Sequence, residues 1–350
     1  MILENQQTVK ASSVVAAQVK ERALQLGFSK VGIARVESLT EEHSRLQRWL
    51  ARGFNGEMKW MERDPAQRTN PRLFFPPARS VIVVALNYYT EHEHVSTTCV
   101  SGWDQDTTAT GKVSCYAWGD DYHEVVAGKL RELLSWVKQQ HAEADGKVCV
   151  DIQPIMDKAW AARAGLGWIG KHTNLITPEF GSWVFIGELL LNLDLEPEDT
   201  EVADQCGSCS LCIDACPTGA IVEPYVLDAN LCISHATIES RTPEIRAEVA
   251  EHLEGWLYGC DICQDVCPWN HMTSVSLEPR FQARAGNVNA SLSEIQQLTP
   301  EAYAERFRGS AMKRAKLSGL QRNARALVHA ADAELSSGSG AIQKNIHQRS

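Results

Sequence analysis

The sequence predicts a multidomain α+β/α/β protein: a layered α/β domain, a small cysteine-rich module and a short helical segment. Three observations carry this. Helical and strand-like apolar patterns alternate up to about residue 200. Eight of the 11 cysteines fall between Cys206 and Cys267. Beyond about residue 280 the periodicity is helical. The expected divisions are 1–200, 201–275, 276–335 and a Ser/Gly-rich tail over 336–350.

In the first division, Val15, Val19, Ala23 and Leu26 recur at helical spacing and Gly27 stops the run. VGIARV (31–36) reads as a buried strand. Thr40 is placed to cap a helix whose apolar face is Leu46, Trp49 and Leu50, with Gly53 at its end. The stretch Pro71 to Pro77 should not form regular helix. VIVVAL (81–86) predicts a second buried strand. Residues 90–112 are polar and aperiodic, which predicts a long surface loop carrying His92, His94 and Cys99. Val125, Leu130, Leu133, Leu134 and Val137 mark a helix over 121–141. KVCVDI (147–152) predicts a strand ending near Asp151, followed by a helix from Asp157 to Ala164. WVFIGELLL (183–191) has the run of a central strand. Residues 192–205 carry six acids and no Lys or Arg, the composition of a solvated linker.

Composition excludes several classes. The net charge is −10, from 34 Lys+Arg against 44 Asp+Glu, which argues against bulk nucleic-acid binding. No long apolar run predicts a membrane span, and MILENQQTVK lacks the basic-then-apolar pattern of a signal peptide. The expectation is a soluble, cytoplasmic monomer. An odd number of cysteines in such a chain does not suit a disulfide framework.

The cysteines have a specific spacing. Cys206, Cys209, Cys212 and Cys216-Pro217 form C-x2-C-x2-C-x3-C-P, the run of bacterial ferredoxins, whose fourth Cys serves the other cluster. Cys260, Cys263 and Cys267-Pro268 repeat it without the first Cys, and Cys232 is the nearby substitute. The crossing rule gives one set of Cys206, Cys209, Cys212 and Cys267 and another of Cys216, Cys232, Cys260 and Cys263. This predicts a ferredoxin-like domain with two [4Fe-4S] clusters. Two tetrahedral zinc sites are the competing reading. Cys99, Cys115 and Cys149 read as core or loop residues.

The front domain has no P-loop and no nucleophile elbow. Gly165, Gly167 and Gly170 follow a helix rather than a strand, so the dinucleotide-binding match is weak. Two stretches combine polar and apolar groups, YAWGDDYH (116–123) and the run Asp151 to Asn174. Asp151 at a strand end, facing an apolar pocket, would have a raised pKa and could act as general acid. The competing roles are helix cap or loop hydrogen bonding. His123 could carry a proton, and Lys158 and Lys171 could hold an anion; each has a solvated alternative.

These motifs together resemble the epoxyqueuosine reductase family. The resemblance rests on YAWGDDYH, AWAARAGLGWIGKHTNLI (159–176), CGSCSLCIDACPTGAIVEPYVLDANLCIS (206–234), YGCDICQDVCPWN (258–270) and GSAMKRAKLSGLQRNARAL (309–327). It spans about residues 12–330. It implies a nitroreductase-like front domain that binds base-off cobalamin, the two-cluster domain, and a short HEAT-like helical segment. It implies reduction of epoxyqueuosine at the wobble position of a tRNA to queuosine, the last step of queuosine biosynthesis. An external one-electron donor would supply the clusters. The family's proton-donating Asp carries over to Asp151, with Ile152 where a small hydroxyl residue is usual. His123, Lys158, Trp168 and His172 become cofactor-binding candidates.

The charge objection has a local answer. Seven basic residues and no acid lie between Arg306 and Arg325. Lys313, Arg314, Lys316 and Arg322 are the tRNA-binding candidates among them, against a solvated helix face. Two other functions compete: a corrinoid and iron–sulfur reductase acting on a small molecule, and a ferredoxin-like electron carrier.

Overall fold

A computed structural model describes residues 2–91, 93–94, 109–197 and 200–330, with side chains from Ser12 onward. His92, Cys99, Glu198, Asp199 and the tail 336–350 lie outside the described residues.

The strands in chain order are β1 (Lys30–Arg35), β2 (Ser80–Asn87), β3 (Thr110–Val113), β4 (Gly146–Cys149), β5 (Trp168–Ile169), β6 (Leu175–Ile176), β7 (Val184–Leu191), β8 (Ile221–Glu223), β9 (Val226–Leu227), β10 (Trp256–Tyr258) and β11 (Asn289–Ser291). The main sheet has the order β1-β2-β7-β4 and is antiparallel throughout. Every residue of β2 is buried, because both sheet faces are covered. Ile82, Val84 and Leu86 pack in one cluster with Val19, Val126 and Leu130, from helices Ile2–Gln25 and Tyr122–Gln140. Val81, Val83 and Ala85 pack in another with Trp160 and Ala161 of helix Asp157–Arg163. Burial on two faces explains why this antiparallel strand reads as an unbroken apolar run rather than an alternating one. Gly32 on β1 permits the close approach of that last helix; a Cβ there would stand 1.9 Å from the carbonyl oxygen of Ala164.

A second sheet has the order β10-β3-β11. Its central strand, Thr110–Val113, comes from the front of the sequence and pairs with segments beyond residue 250. Val113, Trp118, Trp256, Leu257, Phe307 and Leu320 belong to one core. This body is therefore built from both sides of residue 200, and the cysteine-rich and C-terminal segments share a core rather than standing as separate units. Linear sequence could not show this, since the pairing joins segments some 140 residues apart.

Three local expectations are corrected. Pro71–Phe74 does form one helical turn, with Pro at its first position and Asn70 capping it. Thr40 lies inside its helix; the cap position is Leu39, with no side-chain hydrogen bond. The end of the chain is not uniformly helical: β11 and the 3-10 turn Ala311–Ala315 interrupt it, before a helical stretch over 316–330. Among the described residues, no helix is long and apolar enough to cross a membrane.

Candidate active site and cysteine pockets

The polar site forms where helix Tyr122–Gln140 begins beside the loop after β4. Asp121 caps that helix, its carboxylate accepting from the backbone N–H of His123. The same oxygen lies 2.7 Å from Nδ1 of His123. The Tyr122 ring is stacked between His123, at 4.0 Å, and Phe185 of β7, at 4.4 Å. Both side chains then meet Asp151. The Tyr122 hydroxyl donates to its Oδ2 at 2.7 Å, and Nε2 of His123 stands 3.4 Å from the same atom. Asp151 itself has φ of 59°, a left-handed conformation that a non-glycine residue adopts at a cost.

The electrostatics reverse the expectation for Asp151. Desolvation pushes its carboxyl up, but hydrogen bonds from His123 and Tyr122, with the charges of His123 and Lys158, hold it below the usual range. Desolvation likewise opposes the charge on His123, and the bonds and charges of Asp121 and Asp151 overcome it, raising the imidazole to about 9. At neutral pH the site therefore holds its proton on His123, with Asp151 ionised. The Asp151 side chain is 62% exposed, yet desolvation remains its largest influence. Asp151 is thus open to solvent on one side and packed against Tyr122 and His123 on the other.

Lys158 donates to the Thr173 carbonyl and to Oδ1 of Asn174, each at 3.0 Å. Desolvation lowers its pKa; the charges of Asp151, Asp157, Cys263 and Cys232 act in the opposite sense. Lys158 thus senses the charges of both the proton site and the second cysteine set. Sequence reasoning missed two further acids here. Glu188, on β7, is fully buried, and burial followed by the Asp157 charge drives its carboxyl well up. Burial, then Asp151, raises Asp157 to about 6. The signal was a lone acid in the otherwise apolar run WVFIGELLL. Tyr122 and Asp121 were likewise inside a motif from which only His123 was selected.

The cysteines gather as the crossing rule expects. Cys206, Cys209, Cys212 and Cys267 line one cavity together with Lys171 and His172. Cys263 feels Cys232 and Cys216 most strongly among thiols, and Cys260 feels Cys263 and Cys232, so the second set also converges. Burial raises the thiols of Cys212, Cys232, Cys260, Cys263 and Cys267, so they become thiolates only with metal to stabilise that form. Sulfurs spread round a cavity suit a multi-iron cluster better than zinc. Lys171 bolts the two loops together, donating to the carbonyls of Gly207 and Cys209 at 2.7 and 2.8 Å.

Trp168 and His172, the other cofactor-binding candidates, stand at the first cysteine pocket. Trp168 packs with Cys267, Cys206 and Trp269, and His172 lines the cavity. Arg322 is also corrected. It is 5% exposed, and its guanidinium donates to the carbonyls of Ala236, Ser240 and Thr242. Lys313, Arg314 and Lys316 are exposed, Arg314 being paired with Glu239 at 2.7 Å. Cys115 and Cys149 sit in or against the cores, as expected. His94 is not a solvated loop residue, since its ring meets those of Trp118 and Trp256 edge-on at 5.4 and 5.0 Å.

Comparison with known proteins decides the family. The chain is 44% identical over 305 residues to the epoxyqueuosine reductase of Cellulophaga algicola, covering 87% of this chain and 95% of that protein. The chain belongs to the epoxyqueuosine reductase family. A relative of the same name from a Synechocystis species is 44% identical over 85% of this chain and 99% of its own length. The family described as epoxyqueuosine reductase QueG, DUF1730 matches residues 68–152, and a 4Fe-4S double cluster binding domain matches 205–270. A crystal structure of epoxyqueuosine reductase with an epoxyqueuosine-modified tRNA-Tyr stem loop superposes with a TM-score of 0.81 at 31% identity, over 92% of this chain and 83% of that one. A Bacillus subtilis structure, whose catalytic aspartate loop is swung out of the active site, gives 0.81, also at 31% identity and with the same coverage. As a family member the chain is an oxidoreductase, and its double-cluster domain carries two [4Fe-4S] clusters.

Proposed function

We propose that the chain reduces epoxyqueuosine at the wobble position of a tRNA to queuosine in the cleft above Asp151. The overall change takes two electrons and two protons: the epoxide loses its oxygen as water and an alkene remains. The observation that carries the reading is the coupled pair of Asp151 and His123, open on one side and backed by the second cysteine set through Lys158. Cobalamin, held in this nitroreductase-like domain by His123 and Lys158, would supply a strongly reducing centre fed one electron at a time. The cleft floor of Asp151, His123 and Lys158 fits a polar-edged group held over it.

The chain's own residues manage the proton. His123 stores it at neutral pH, held by Asp121. Asp151, the more exposed partner, relays it: the proton crosses the 3.4 Å gap from Nε2 to Oδ2 and passes on to the leaving oxygen. Tyr122 fixes the Oδ2 atom that the exchange uses. In a Bacillus subtilis relative the catalytic aspartate loop is swung out of the active site; Asp151 likewise stands on a loop, in a left-handed backbone conformation. The two cysteine sets are the cluster ligands, and Lys313, Arg314 and Lys316 are the tRNA contacts. Asp151 is among the carboxylates whose charge favours the charged Arg314. The protein acts in the cytoplasm as a monomer.

An anaerobic assay tests this. Reconstituted protein, cobalamin, a strong reductant and epoxyqueuosine-containing tRNA are combined, and the digested nucleosides are read by mass spectrometry. Cobalamin-dependent queuosine is the expected product. Loaded protein that yields none would overturn the reading in favour of a small-molecule corrinoid reductase.

A further inference from the structure

His172 is 4% exposed, and its Nε2 has no hydrogen-bond partner in the protein. A buried polar atom left so costs about 1–3 kcal/mol. The tautomer of the ring can be read from its other nitrogen. The backbone N–H of Asn174 donates to Nδ1 at 3.2 Å, so Nδ1 carries no hydrogen and the ring's hydrogen is on Nε2. That N–H belongs to a ring lining the cavity of Cys206, Cys209, Cys212 and Cys267.

The ring has little freedom to turn elsewhere. Lys171, its neighbour, is tied to the carbonyls of Gly207 and Cys209 on the cysteine loop. Gly170 lets the ring lie flat against the chain, since a Cβ there would stand 3.0 Å from Cε1 of His172. Trp269 lines the pocket, and Trp168 packs edge-on against it and against Cys267. One oriented donor on the wall of the pocket tunes an iron–sulfur cluster, because the reduced cluster carries more negative charge than the oxidised one.

We propose that His172 donates a hydrogen bond from Nε2 to a sulfur of the cluster held by Cys206, Cys209, Cys212 and Cys267, and so raises its reduction potential. His172 is a positioning and tuning residue, neither ligand nor proton donor to substrate. The proposal rests on the reading that these four cysteines hold a cluster.

The test is an EPR-monitored redox titration of reconstituted full-length protein and of His172→Leu and His172→Gln. A charge-assisted bond is worth about a tenfold shift in the reduction equilibrium. The Leu variant should therefore titrate about 59 mV lower for this one-electron couple, with Gln between. As a second measurement, wild-type protein carrying nitrogen-15 histidine should show a histidine nitrogen coupled to the reduced cluster in pulsed EPR. That measurement decides the matter if the Leu variant fails to assemble. Full iron and sulfide content with an unmoved midpoint, or no nitrogen coupling in the wild type, overturns the hydrogen bond alone. If Cys206→Ser leaves the iron content unchanged, the cluster assignment falls with it.

Discussion

The electron side and the proton side of this molecule are built on opposite principles. The first cysteine pocket is lined chiefly by thiols and apolar groups brought together from three segments: Ile176 from the front domain, Cys206, Cys209 and Cys212 from one loop, and Cys267 and Trp269 from another. The Asp151 cleft is open, and its members arrive from separated elements: Asp121, Tyr122 and His123 at one helix start, Asp151 on a loop, Lys158 on the next helix. Electrons can cross packed protein between closely spaced centres, so their carriers can be sealed. A proton must be handed to a substrate that enters and leaves, so its carrier must face a cleft and be held by charge rather than by burial.

The sharpest way to break this contrast is Asp151→Asn. It removes the acid that faces the cleft and should lower turnover by roughly 10²–10⁴. Iron, sulfide and cobalamin content should stay near normal. Loss of the clusters in this variant would show that the two sides are one structural unit. Cys232→Ser does the reverse, and should remove about half of the bound iron while leaving the His123 pKa in place. Two intact clusters by iron and sulfide analysis would refute its assignment as the replacement ligand.

This division also explains what the sequence could show. Ligand spacing along the chain sets the geometry around a cubane, so Cys206, Cys209, Cys212 and Cys216 are legible as a run. The strands VGIARV and VIVVAL were legible because burial imprints periodicity. The proton site left a weaker trace. Asp151 was readable as a candidate, but the direction of its pKa was not, since His123 and Tyr122 reach it only through the tertiary fold. The pairing of Thr110–Val113 with strands far along the chain was hidden for the same reason. Arg322 misled because a run of basic residues reads alike whether each side chain points outward or into a cluster of carbonyls.

Asp121→Asn sharpens the proton side alone. The folded His123 pKa is raised, so its charge stabilises the fold fully below the unfolded value of about 6.5. That contribution fades as pH rises through about 9. Activity should therefore fall on an alkaline limb near 9. Weakening the Asp121 partner should move that limb downward, and cost about tenfold in rate at pH 8. NMR titration of the imidazole checks the shift; an unmoved limb would remove His123 from the proton path.

The smallest effects separate surface charge from buried charge at the far end of the chain. Neutralising Lys313, Arg314 and Lys316 together should weaken tRNA binding and flatten its salt dependence by roughly one in log–log slope per residue. Arg314 should count for less, because Glu239 already holds it. Arg322→Met should act in the opposite manner. Its guanidinium serves the carbonyls of Ala236, Ser240 and Thr242 and Oδ1 of Asn323. Removing it strands these buried acceptors, and should destabilise the protein by about 2–3 kcal/mol in a denaturant titration. The salt slope for tRNA should not change, since a buried guanidinium releases no counterion on binding. A flattened slope in Arg322→Met, without loss of stability, would mean that this segment opens on the nucleic acid and presents Arg322 to a phosphate.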